Sequence, residues 1–146
     1  MRSVAYEIVD GISRADIAFR VRGSDLNSLF RDGAGALIAI MMGNPDSVRP
    51  LVSIVIRCEE DTIELLYHEW LSEIIFYKDS ERLLLFPQSI DIVSTGNSYQ
   101  LHSLCEGETI DRTRHFFSID IKAVTFHGLM VAEEDAEWTA IAVVDV

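Results

Sequence analysis

Two segments with helical spacing of their apolar residues are set among segments whose apolar residues alternate. The first helical segment begins after Ser24 or Asp25, either of which can cap a helix, and ends near the Gly-Asn-Pro at residues 43–45. Gly33 and Gly35 weaken this helix, so we expect close packing against it there. Its apolar positions are Leu26, Leu29, Phe30, Leu37, Ile40 and Met41.

The second helical segment is predicted to open at Asp61, because Glu64 follows three residues later in a capping-box arrangement. Its predicted buried stripe consists of Ile63, Leu66, Trp70, Leu71, Ile74 and Tyr77. The two helices are therefore separated by enough chain to hold a strand between them.

The other apolar segments have period two and predict strands. They cover residues 5–9, 17–21, 52–56, 90–92, 99–101, 121–129 and 138–146, with a turn at the Gly-Asn of residues 96–97 and a loop over residues 107–115. Because helices and strands mix without strict βαβ alternation, the predicted fold class is α+β. We expect a single compact domain over residues 1–146, with a mixed or antiparallel sheet packed against two main helices.

Composition excludes several classes of protein. The longest uncharged apolar stretch, residues 34–42, is well short of the roughly 18 residues that span a bilayer, so no membrane association is expected. No charged leader precedes a cleavage-like site, and the only cysteines, Cys58 and Cys105, are widely separated and expected to be reduced. These features predict a cytoplasmic protein.

The formal net charge of −12 repels phosphate backbones, so direct nucleic-acid binding is not expected. The same charge favours hard cations and basic protein surfaces as partners. No GxSxG, Walker or GxGxxG pattern occurs, and His68-Glu69 is followed by Ser72 where a zinc-protease motif needs a second histidine. A stand-alone metal-dependent hydrolase has no evident nucleophile or general base.

Lys122, one of only two lysines, lies in the apolar run of residues 121–129. A lone ammonium in such a segment needs a nearby carboxylate, and Asp16 and Asp145 are the candidates. Val146 adds an α-carboxylate next to Asp145. Together these groups would form a site of three oxygen donors, which suits Ca²⁺, Mg²⁺ or Mn²⁺ rather than Zn²⁺.

The residues alone also allow an alternative in which these side chains have only structural roles. In it, Asp145 lies on a solvated strand face, Asp16 caps a loop, Lys122 is a snorkelling edge residue and His127 is a hydrogen-bonded core histidine. Strand parity places Lys122 and His127 on opposite faces, so they converge only if a bulge occurs near Val124.

Several segments together resemble the archease family along nearly the whole chain. Residues 15–23 read Ala-Asp-Ile-Ala-Phe-Arg-Val-Arg-Gly, and residues 65–75 contain the Leu-Leu and Trp-Leu pairs of the family's second helix. Gly107-Glu108 with Asp111 and His115 is similar to the family's Gly-Glu loop. Residues 122–127, Lys-Ala-Val-Thr-Phe-His, and the ending Asp145-Val146 complete the resemblance.

The resemblance implies a small α+β cofactor protein that assists the RtcB-type tRNA-splicing RNA ligase and is not itself an enzyme. It would promote guanylylation of the ligase histidine and sustain multiple turnovers. Asp16, Asp145 and Val146 would be the ligands of a divalent metal ion, Ca²⁺ by preference, and Lys122 a required neighbour. The alternative function is a chaperone-like or protein-binding module in which the metal site is structural.

One segment departs from the family pattern. The family usually has His-Thr before Ala-Asp, whereas this chain has Ser13-Arg14. Arg14 can pair with a carboxylate of the cluster or contact the partner. Arg14, His127 and His115 are therefore candidate partner contacts.

Overall fold

The computed structural model describes residues 4–9 and 16–146. Within them it contains two α-helices, α1 (Leu26–Met41) and α2 (Ile63–Ser80), and a short 3-10 turn at Pro45–Ser47. The strands are β1 (Glu7–Val9), β2 (Asp16–Gly23), β3 (Val52–Glu60), β4 (Leu83–Ser94), β5 (Tyr99–Thr109), β6 (Ala123–Val124), β7 (Met130–Glu134) and β8 (Glu137–Asp145). This is the α+β arrangement that the sequence predicts.

The strands form two sheets in which every described ladder is antiparallel. The larger sheet has the order β1-β2-β8-β6, and β7 pairs with the first part of β8. The smaller sheet has the order β3-β5-β4. The expected hairpin is β4–β5, with Gly96 in its turn at φ +90°.

The helices begin at side chains that accept backbone hydrogen bonds. Asp25 caps α1, and its carboxylate accepts from the N–H of Ser28 at 2.8 Å. The predicted cap of α2 at Asp61 is wrong by one residue, because Thr62 is the cap and its hydroxyl accepts from the N–H of Leu65 at 3.2 Å. Glu64 then lies in the first turn of α2, where a carboxylate is favourable beside the helix dipole.

Both helices and both sheets contribute to one cluster of buried apolar residues. Trp70 is fully buried, and its indole N–H donates to the carbonyl of Phe30 in α1 at 2.8 Å. The Tyr67 ring packs so closely on Gly33 that a Cβ there would overlap it. The close packing expected at this glycine is thus confirmed, and it sets the approach of α2 to α1.

Three segments differ from the sequence-based expectations. The predicted strand over residues 121–129 is reduced to the two residues of β6, and Lys122 lies outside it and is exposed. β5 extends to Thr109, so Gly107 and Glu108 belong to a strand and not to a loop. β7 was not expected, because its residues lie between the apolar run of residues 121–129 and the last predicted strand.

The two cysteines, Cys58 and Cys105, are buried free thiols, as expected. Among the described residues, no helix combines the length and the apolar character needed to cross a membrane.

Candidate functional site

Asp16 and Asp145 lie directly opposite each other where β2 begins and β8 ends. Directly opposed residues of an antiparallel pair have Cβ atoms about 4.5–5.5 Å apart and project to the same face of the sheet. Both aspartates are half-buried. The structure therefore brings these two expected site residues together, although they come from opposite ends of the described chain.

β6 flanks the same end of β8 on its other side. Ala123 is opposite Asp145, and the backbone N–H of Lys122 donates to the carbonyl of Asp145 at 2.8 Å. Lys122 thus lies beside the end of β8, as expected. Its side chain is exposed, however, and forms no ion pair with any residue in the described ranges 4–9 and 16–146. The premise of a desolvated ammonium at Lys122 is wrong.

The buried lysine of the chain is Lys78 in α2, which is 4% exposed. Its Nζ lies 2.6 Å from Oδ1 of Asp120, 2.8 Å from Oδ1 of Asp79 and 3.0 Å from the carbonyl oxygen of Ile121. A buried ammonium is surrounded by anions and acceptors, as physical chemistry requires. No local sequence pattern indicates this burial, because the partners Asp120 and Ile121 come from a segment far along the chain.

The donor set of Asp16 and Asp145 suits a hard divalent cation, because it consists of carboxylate oxygens without thiolate or imidazole. Within the described residues, no group of three His, Cys, Asp or Glu side chains could hold a metal ion. The two aspartates would therefore need a further oxygen donor, and the Val146 α-carboxylate is the adjacent candidate. The two aspartates are two of the three expected ligands.

His127 occupies an exposed turn and not the core. The backbone N–H of His127 donates to Oγ1 of Thr125 at 3.2 Å, and the same hydroxyl donates to the backbone carbonyl of His127, also at 3.2 Å. Gly128 continues the turn at φ +70°, which favours glycine. The alternative of a core histidine is wrong, and His127 stays accessible to a partner.

His115 is 2% exposed, so its ring is placed inside the protein and away from any contacting surface. Its Nδ1 accepts from the backbone N–H of Asp111 at 2.8 Å. The proton of a neutral ring is therefore on Nε2, which donates to Oε2 of Glu108 at 3.1 Å. The assignment of His115 as a partner contact is contradicted by this burial.

Glu108 is 5% exposed and anchors the loop that carries His115. Its carboxylate also accepts from the N–H of Arg49 at 2.7 Å and from the guanidinium of Arg114. Desolvation would raise the pKa of Glu108, but the hydrogen bonds from Arg49, Arg114 and His115 together hold the pKa below its usual value. Glu108, Asp111 and His115 were compared with the family's Gly-Glu loop. In the structure they are joined by hydrogen bonds that hold this loop in place.

His68 and Phe126 contact each other beside the segment that follows Lys122, and the sequence did not connect them. The His68 Nε2 lies 2.8 Å from the carbonyl oxygen of Val124, and its ring stacks on Phe126 with centroids 3.9 Å apart. Phe126 is nevertheless 67% exposed. The sequence shows His68 only as part of an incomplete zinc-protease motif, and no local pattern relates it to a segment so distant along the chain. Arg14, the remaining candidate contact, lies outside the described residues.

A family model and curated relatives of this chain all belong to one family. The model of the archease protein family (MTH1598/TM1083) matches residues 6–146. The curated "Protein archease" of Methanopyrus kandleri is 32% identical over 131 residues, which cover 90% of this chain and 93% of that protein. The "Protein archease" of Thermococcus kodakarensis is 30% identical over 132 residues, with coverage of 90% and 92%.

Two solved structures share the fold. The solution structure of Methanobacterium thermoautotrophicum protein 1598 superimposes with a TM-score of 0.82, at 26% identity and with 100% coverage of both chains. A Thermotoga maritima crystal structure, described as "an archease, possible chaperone", has a TM-score of 0.56 and 18% identity, covering 96% of this chain and 98% of that one. The second likeness supports the fold alone. From the family match and the relatives it follows that the chain belongs to the archease family.

Proposed function

We propose that this protein activates an RtcB-type tRNA-splicing RNA ligase by promoting guanylylation of the ligase and its multiple turnover. In this role it is an accessory protein and not the catalyst of ligation. The observation that carries the proposal is the direct opposition of Asp16 and Asp145 in the β2–β8 register, with Lys122 beside the end of β8. The cytoplasm is the proposed location, because the buried thiols are free, as is usual in reducing compartments.

The proposed site combines carboxylates with one exposed ammonium. Asp16, Asp145 and the Val146 α-carboxylate would hold a divalent ion, with Ca²⁺ proposed first and Mg²⁺ or Mn²⁺ as alternatives. Such an ion, when bound, orients and polarises phosphate oxygens. The exposed Lys122 ammonium would contact a phosphate group or a carboxylate of the ligase.

The experiment that tests this function is a guanylylation time course with the cognate ligase, GTP and divalent metal. We expect Asp145→Ala to lower the rate strongly while its thermal unfolding stays cooperative. Asp91→Ala is the matched control, because Asp91 is an exposed strand aspartate on the smaller sheet. Undiminished guanylylation with a well-folded Asp145→Ala protein would contradict the proposal.

The Val146 α-carboxylate needs a separate test. A chain that ends at Val146 is compared with one extended by a few residues, which converts that carboxylate into an amide. Loss of activation in the extended protein supports a direct role for the carboxylate, whereas equal activation excludes it as a required ligand. The side-chain test at Asp145 remains valid in either case.

The second candidate function is a chaperone-like or protein-binding module with a structural metal site. It is favoured by Phe126, a large apolar side chain that stacks on His68 and is nevertheless 67% exposed. In that case removal of divalent metal by a chelator should lower the melting temperature of this protein, yet ligase guanylylation should not depend on Asp16 or Asp145. A melting temperature that does not respond to Ca²⁺, Mg²⁺ or Mn²⁺ would exclude a stabilising metal site.

A further inference from the structure

We propose that Lys78 and His68 of α2 are positioning residues that hold the backbone on both sides of Lys122 and so place its ammonium at the end of β8. The geometric part of this inference stands alone, and its consequence for ligase activation rests on the proposed function. Neither side chain belongs to the carboxylate pair, and neither was expected to act on this segment.

Lys78 holds the side of the segment that precedes Lys122. Its Nζ donates to the carbonyl of Ile121 at 3.0 Å. Ile121 is fully buried, so this carbonyl depends on protein donors. Asp120, which also accepts from Lys78 at 2.6 Å, fixes the preceding residue as well. The chain immediately before Lys122 is therefore attached to α2 at two consecutive residues, through the side chain of Asp120 and the backbone carbonyl of Ile121.

His68 holds the side that follows Lys122. Its Nε2 donates to the carbonyl of Val124 at 2.8 Å, because a carbonyl oxygen can only accept. The ring also stacks on Phe126, with an interplanar angle of 13°. The carbonyls of Ile121 and Val124 bracket Lys122 and Ala123. Both attachments come from one rigid helix, ten positions apart along α2.

The segment needs such attachments because the sheet holds it weakly. β6 has only two residues. Apart from the bonds of the two-residue β6–β8 ladder itself, the described backbone bonds donated by this segment to β8 are those from Lys122 to Asp145 and from Thr125 to Val143, both at 2.8 Å. So short a strand is marginal by itself. The direction of the Lys122 side chain is thus determined by α2 as well as by β8.

The first test measures the attachment without the ligase, by amide hydrogen exchange at Lys122 and Thr125. Lys78→Met keeps an apolar stem and removes the donor, and His68→Phe keeps an aromatic ring for the stack and removes the donor. We expect exchange at these two amides to be roughly tenfold faster or more in each variant, because local opening becomes easier. His102→Phe is the control, since His102 is exposed on the smaller sheet.

Unchanged exchange at Lys122 and Thr125 in both variants overturns the inference. Equal acceleration at amides of α1 as well indicates general destabilisation and also overturns it. If Lys78→Met does not fold, the His68→Phe variant alone decides. The imidazole of His68 is only partly buried, and its replacement leaves no buried charge without a partner.

The second test asks whether the attachment matters for activation, through a double-mutant cycle with Lys122→Ala in the guanylylation assay. Lys78→Met should lower the rate by roughly tenfold, as expected for a misplaced functional group. It should cause little further loss when Lys122 is already alanine. Lys78→Arg should restore part of the rate, because arginine keeps the charge and the donors.

Full additivity of Lys78→Met and Lys122→Ala overturns a positioning role, since the two residues would then act independently. If Lys122→Ala itself leaves guanylylation unchanged, the proposed function fails at this residue. The exchange measurement then still decides whether α2 holds the segment. The failures of the two proposals are therefore distinguishable.

Discussion

At the scale of single residues, Glu108 keeps its charge inside the protein because three donors converge on its carboxylate. Arg49, Arg114 and His115 supply these donors, and together they hold the pKa of Glu108 below the usual 4.5 despite desolvation. A carboxyl group whose pKa is lowered on folding stabilises the protein above its unfolded-state pKa. This contribution is lost as pH falls from about that value through the lower folded-state pKa.

Glu108→Gln should therefore lower the free energy of unfolding at pH 7 by about 1–3 kcal/mol, because the amide offers donors where acceptors are needed. The free energy of unfolding of the variant should also fall less steeply than that of the wild type as the pH drops below 4.5. Urea denaturation at neutral and acidic pH measures both effects. Glu106→Gln is the control in the same strand, and an acid dependence identical to that of the wild type in Glu108→Gln would contradict this account.

The two lysines show what residue type alone can predict. The requirement that a buried ammonium has anionic partners is correct, but it applies to Lys78 and not to Lys122. Lys122 lies in an apolar run, which suggests burial, whereas Lys78 lies on an amphipathic helix, where lysines are usually exposed. Burial of Lys78 depends on residues 120–121 crossing α2, and no local pattern encodes that crossing.

At the scale of elements, the start of α2 is held by a hydroxyl. The hydroxyl of Thr62 accepts a hydrogen bond from the backbone N–H of Leu65, whereas Asp61 lies one residue before the cap. Thr62→Ala should lower the free energy of unfolding by about 1 kcal/mol. Asp61→Ala should change it by less than about 0.5 kcal/mol, as surface substitutions usually do. Equal losses in urea denaturation of the two variants would show that Asp61 contributes to capping.

Elements with long periodic patterns are predictable, and short paired strands are not. Both helices, the β4–β5 hairpin and the last strand follow from apolar spacing and turn residues. β6 lies within the apolar run of residues 121–129 and β7 follows that run, with Gly128 at positive φ between the two strands. Each of them is defined mainly by its pairing with a different part of β8, so tertiary contacts decide where they begin and end.

At the scale of the whole molecule, the candidate site is a consequence of topology. Asp16 and Asp145 meet because the first long strand lies beside the last one in the larger sheet. Periodicity predicts both strands but not that they are neighbours. The two aspartates were expected to share a site, and the register of β2 with β8 gives that expectation its physical form.

The net charge of −12 makes a further prediction about the whole protein. An acidic protein that binds a basic ligase surface should associate more slowly and less tightly as salt screens the attraction. Because RNA would use the same basic surface, RNA and this protein should compete for the ligase, and both complexes should weaken with salt.

Surface plasmon resonance with immobilised ligase can test this between about 0.05 and 0.5 M salt, a range over which the Debye length falls severalfold. We expect the association rate constant to fall as salt rises and added RNA to raise the apparent dissociation constant of this protein. The Asp91→Ala control should retain the competition, since one exposed charge on the smaller sheet changes little of the total. Simultaneous binding of RNA and this protein to one ligase molecule would exclude a shared surface, and salt-independent association would exclude electrostatic attraction as the basis of partner recognition.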